Sequence, residues 1–113
     1  MTRLEVADIV PDVEEVLRGA KKGKGDGPRM LTAYQVLHLL PPPLRARLIV
    51  ERGIPGKGAG QHSSAASLIA HALVRVGCIE CDYLDTRGLR FMVGEDEVEG
   101  GYELAKLYRY DGP

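Results

Sequence analysis

The sequence predicts an α+β protein, three to four helices followed by a three-stranded antiparallel sheet, and three observations predict it. The first is an apolar stripe of period 3.6 in the middle of the chain: Ala65, Leu68, Ile69, Ala72, Leu73 and Val76 fall on one helical face, and Gly77 follows where a helix-ending glycine belongs. The second is a pair of earlier helical stripes bounded by proline and glycine. The third is a switch to period 2 after Gly77, where apolar and charged residues alternate as they do in half-buried strands.

At 113 residues the chain fits one core. Aromatic residues are few and tryptophan is absent, so Leu, Val, Ile and Ala must build that core. The net charge of −1 hides a segregation: the balance is −4 over residues 1–15, +8 over residues 16–75 and −5 over residues 76–113. A basic middle between acidic ends can give one face that attracts anions while the whole stays near neutral. No run approaches the roughly 18–20 apolar residues that span a bilayer, so no membrane partner is expected. Glu5 and Asp8 interrupt the first apolar stretch, which excludes a signal peptide. Two cysteines without a disulfide framework point to a reducing, cytoplasmic setting.

Residues 4–10 suit a strand or a helical lead-in. Pro11, with Asp12, Glu14 and Glu15 behind it and Val10, Val13, Leu17 and Ala20 on one face, suits the first turn of a short amphipathic helix ending near Gly19 or Ala20. Lys21 to Pro28 has three glycines and a proline in eight residues, which no helix or strand interior tolerates. It reads as a flexible basic connector, or as an arm along a phosphate backbone. Residues 1–28 are thus a helix and linker, and the main body begins at residue 29.

Thr32 is the expected N-cap of the next helix, with Leu31 as the staple before it and Ala33, Val36, Leu37 and Leu40 facing inward. Pro41-Pro42-Pro43 ends it, and the last proline opens a third helix over Leu44 to Arg52, closed by Gly53. The central helix is then expected over Ser63–Val76, capped by Ser63 or Ser64. Ile79 to Tyr83 and Leu89 to Val93 alternate about the turn residues Asp85 to Gly88 and are predicted to pair as a hairpin. Gly94 to Gly101 reads as an acidic loop and Tyr102 to Tyr110 as the third strand.

Helix, helix, helix and then a hairpin is the element order of the winged helix-turn-helix class, which residues 31–93 resemble. The resemblance makes residues 29–113 a winged-helix-like domain, although Gly53 to His62 puts ten residues between the second and third helices where the class commonly uses three or four. It implies that the third helix enters a DNA major groove and that the hairpin tip touches the backbone or the minor groove. The groove candidates are Gln61, His62, Ser63, Ser64 and Ser67, with Arg87 at the wing tip. Arg45, Arg47 and Lys57 are the expected phosphate contacts.

Gly53, Gly56, Gly58 and Gly60 around Lys57, feeding a helix N-terminus, also have the ingredients of an anion site, or of a tight irregular connector. Lys57 is not followed by Ser or Thr, so the loop is not a Walker A loop. Gly53-Ile54-Pro55-Gly56 meets the bare GxxG pattern of KH domains, which makes a KH-like single-strand binder an alternative.

No residue set combines nucleophile, base and orienter, and no catalytic residue is assigned. Cys78 and Cys81 form a CxxC without a second ligand pair at metal spacing; they are read as structural packing, and no metal or cofactor is expected. His71 reads as a boundary histidine, and Glu80 and Asp82 as cross-strand partners of Arg90. The expected function is non-enzymatic nucleic-acid binding, with double-stranded DNA as the partner. The rival is a protein-interaction module or small regulatory subunit using the acidic C-terminal third or Tyr102, Tyr108 and Tyr110 as its contact surface. A homodimer is open under either reading.

Overall fold

A computed structural model describes residues 3–20, 29–53, 65–98 and 104–112. The element order is α1 (Val6–Arg18), β1 (Leu31–Thr32), α2 (Ala33–Leu39), α3 (Pro42–Arg52), α4 (Ala65–Val76), β2 (Ile79–Asp85), β3 (Phe91–Val93), β4 (Asp96–Val98) and β5 (Leu104–Tyr110). The protein is α+β, with four helices preceding most of a small antiparallel sheet, as the periodicities predict.

The helix boundaries follow from their caps. Helix α1 starts five residues earlier than Pro11 suggested, because the Asp8 carboxylate accepts the backbone N–H of Glu5 at 2.8 Å and closes the first turn there. Pro11 therefore lies inside the helix on its exposed side, where its missing N–H deletes one ladder bond. Gly19 is the C-cap. At α2 the capping box is complete: Thr32 Oγ1 accepts the Gln35 N–H at 3.2 Å, and Thr32 N–H donates to Gln35 Oε1 at 2.8 Å. Pro42 and Pro43 occupy the first turn of α3, so that helix begins two residues before Leu44.

Gly53 closes α3 with φ +89° and ψ 158°, a region open to glycine alone. Its N–H donates to Ile49 O at 2.8 Å and its carbonyl accepts the Ala65 N–H at 3.2 Å. The end of α3 and the beginning of α4 are thereby joined directly.

Helix α4 is the centre of the molecule. Ala65, Ala66, Leu68, Ile69, Ala72 and Leu73 are buried, and the helix packs most extensively along α1, then against α2, with smaller contacts to α3 and β2. From α1, Ile9, Val13 and Leu17 are fully buried in the same core as Val36 and Leu37 of α2 and Tyr108 and Tyr110 of β5. α1 thus shares one core with the rest of the chain. The C-terminal end of α3 holds the residues leading into α1. Glu51 Oε1 accepts the Leu4 N–H at 2.7 Å, and Arg52 donates to Leu4 O at 2.6 Å.

The strands depart from the expected pairing. Strand β2 does not pair with Leu89–Val93. It pairs over its whole length with β5, Ile79 opposite Tyr110 and Asp85 opposite Leu104, and β5 also pairs with β1, giving the order β1–β5–β2. The turn at Thr86–Leu89 exists, with Leu89 N–H donating to Thr86 O at 3.0 Å. It directs the chain into a separate hairpin of β3 and β4. The acidic loop expected after Gly94 contains β4, whose Val98 is buried while Asp96 and Glu97 face solvent.

That hairpin lies against α2. Phe91 stacks on Tyr34 with ring centroids 4.8 Å apart, and His38 Nδ1 accepts the Gly94 N–H at 3.0 Å. Val93 is fully buried in the core.

Candidate nucleic-acid interface

Because the buried stripe of α4 faces α1 and α2, a second stripe one half-turn away is turned outward. His71, Val74 and Arg75 are exposed and Ser67 is half-buried. Ser67, His71 and Arg75 recur every fourth residue along one line of the helix surface, and Val74, 65% exposed, lies beside them. Arg75 has no side-chain partner among the described residues. The line is polar at its N-terminal end and basic at its C-terminal end, about 12 Å long at 1.5 Å per residue.

Of the residues expected to meet nucleic acid, Ser67 is on this line. Lys57, Gln61, His62, Ser63 and Ser64 lie outside the described residues, as does the basic stretch from Lys21 to Pro28.

Ser67 is itself engaged within the chain, and so are the remaining three. Arg45 Nη1 donates to His38 O at 2.7 Å, with its guanidinium against Gly94. Arg47 Nε donates to Glu51 Oε2 at 2.8 Å. Arg87 forks onto Asp85 through Nε and Nη2, at 3.0 and 2.6 Å for the shortest contacts. Arg45 and Arg47 project from α3, Ser67 from α4 and Arg87 from the turn after β2.

Two carboxylates show these attachments electrostatically. Glu51 is held below the ordinary carboxylate range by the Leu4 N–H first and then by the Arg47 guanidinium. The Arg87 side chain, and then its backbone N–H, do the same to Asp85. At the sheet, burial pushes the Tyr108 hydroxyl up, with Cys81 and Tyr83 adding to it.

Four expectations are corrected. Cys78 and Cys81 are both exposed free thiols, so they do not pack into the core; β2 is an edge strand of its sheet. Glu80 pairs with Arg109 of β5 and not with Arg90, which instead faces Glu97 at 3.8 Å. Cross-strand charge pairing does occur, with the partner set by β5. Tyr108 and Tyr110 are 5% and 7% exposed and cannot form a contact surface; Tyr110 receives a hydrogen bond from Arg18 at 2.7 Å, and Tyr102 lies outside the described residues. His71 is exposed and has no part in the core.

Among the described residues no three His, Cys, Asp or Glu side chains gather at metal-binding distance, and no helix is long and apolar enough to cross a membrane. No protein-family model matches the chain, and neither a curated protein nor a solved structure does.

Sequence reasoning missed His71, Val74 and Arg75 as surface candidates. The signal was present: once the buried positions of α4 are assigned, the opposite positions follow from the helical period.

Proposed function

We propose that the protein is a non-enzymatic nucleic-acid-binding module for duplex DNA, on a winged-helix-like scaffold, with α4 as the helix presented to the groove. The observation that carries this reading is the outward line of Ser67, His71 and Arg75 on a helix whose other side is fixed by α1 and α2. A helix held on one side and polar on the other is what groove insertion requires. Val74 can meet a thymine methyl, and Arg75 can neutralise a phosphate. Arg45, Arg47 and Arg87, being engaged within the chain, support the scaffold more than the contact.

The test is a titration of the full chain against duplex DNA, single-stranded DNA and RNA at about 50 and about 200 mM salt. Saturable, salt-sensitive binding that favours the duplex, weakened by Arg75→Ala, is expected. Stronger binding to single strands turns the reading toward a KH-like mode, and no binding at the lower salt removes it.

A second reading, a protein-interaction module or small regulatory subunit, is favoured by exposed apolar side chains: Val50 is 85% exposed and Leu39 53%. Val50 stands alone on α3, whereas Leu39 borders a cleft.

A further inference from the structure

The last turn of α2, the proline corner after it and the second half of α1 enclose a cleft of ≈ 840 Å³. Its floor is apolar, built from Val16 of α1, Leu31 of β1, and Leu39 and Pro42 at the α2–α3 corner. Large exposed leucines are ordinary singly, but Leu39 lines a concave apolar surface, where exposure marks a docking site more often. The volume falls within the roughly 300–1,000 Å³ of ligand-sized pockets.

The rim is charged asymmetrically. Asp12 and Glu15 stand along the α1 side, three residues apart and hence on one helical face. Neither carboxylate has a hydrogen-bond or ion-pair partner among the described residues, whereas Glu14 on the next face pairs with Arg18 at 3.4 Å. Arg29 closes the strand side. An apolar floor with two acids along one wall, neither paired among the described residues, fits an occupant that is apolar on one face and basic along one edge.

We infer that this cleft docks an amphipathic helical segment of a partner protein, with leucine-sized side chains inserted between Val16, Leu31 and Leu39 and with Lys or Arg side chains aligned on Asp12 and Glu15. Helix-in-groove recognition places such anchors at i, i+4 and i+7, and the charges set orientation and partner choice. The cleft belongs to α1, β1 and the α2–α3 corner and uses no residue of the α4 line, so it stands or falls independently of DNA binding.

The probe is a synthetic amphipathic peptide of roughly four turns with Leu on one face and Lys along one edge. It is titrated against the full chain by fluorescence anisotropy, beside the same peptide with Glu for Lys and a third with Ser for Leu. Binding of the Leu/Lys peptide should be saturable, and roughly tenfold or more tighter than that of either control. Leu39→Ser should weaken it by roughly tenfold, and Asp12→Asn with Glu15→Gln by several-fold, while Arg75→Ala leaves it unchanged. Leu39 is exposed, so its replacement leaves the fold intact, which the far-ultraviolet circular dichroism of the variant checks. Equal affinity for the Lys and Glu peptides, insensitivity to Leu39→Ser, or self-association of the chain that Leu39→Ser abolishes would each overturn the inference, the last by making a second copy the occupant.

Discussion

His38 Nδ1 accepts the backbone N–H of Gly94 at 3.0 Å, across fifty-six residues of sequence, and this bond pins the β3–β4 hairpin to the end of α2. Gly94 has φ +64°, and a Cβ placed there would meet Arg45 Nε at 3.3 Å. Arg45 in turn donates to the carbonyl of His38. One small locus therefore couples α2, α3 and the hairpin.

Gly94→Ala should be destabilising by roughly 1–3 kcal/mol, from the left-handed backbone and the displacement of the guanidinium together. Thermal unfolding measures it. A variant as stable as the parent would mean that the hairpin is not held at this point.

Leu73 and Ile69 of α4 are fully buried between α1 and α2. Leu73→Ala is expected to lose about 2–5 kcal/mol. Val74→Ala, on the same helix but 65% exposed, should change stability little. Urea denaturation of the pair tests the assignment of the two faces, and equal effects would contradict it.

The reciprocal bonds between Thr32 and Gln35 predict a loss of about 1 kcal/mol in Thr32→Ala. The loss should be somewhat larger than for a surface cap, because Thr32 is 1% exposed and also belongs to β1. Gln35→Ala should reproduce part of it. Chemical denaturation of the two single variants and the double variant gives their coupling.

Glu51 provides a pH signature. Its folded-state pKa lies below the ordinary value because the Leu4 N–H and Arg47 hold the carboxylate ionised. A depressed carboxylate adds stability above its unfolded pKa, and that contribution is lost as pH falls through the folded value. The parent should therefore lose stability relative to Glu51→Gln on acidification below about pH 4.5, with the two curves parallel above it. Tm followed across that range checks the sign. A gap that is constant with pH would show that the carboxylate is not held ionised there.

The sequence made some of this architecture plain and concealed the rest for identifiable reasons. The α4 stripe, the Thr32 cap, the proline start of α3 and the terminating Gly53 are local features, written in residues three or four apart. Strand pairing is not local. The alternation in Ile79–Asp85 identifies a strand but cannot choose between Leu89–Val93, a few residues on, and β5, more distant in sequence. Strand β4 was hidden because Asp96 and Glu97 point to solvent and only Val98 reports burial. At the candidate interface, charge counting marked Arg45, Arg47 and Arg87 as available cations. Their partners, His38 O, Glu51 and Asp85, become evident only from the folded chain, and the outward Arg75 emerged once the buried face of α4 was known.

The most direct test of the account is the salt dependence of duplex DNA binding by the parent and by Arg75→Ala, measured by anisotropy over the same salt series. If α4 presents Arg75 to a phosphate, the logarithmic slope of affinity against salt should fall by about one in the variant, with weaker binding to every duplex sequence alike. Identical slopes for the two proteins, or no duplex binding by the parent, would contradict it.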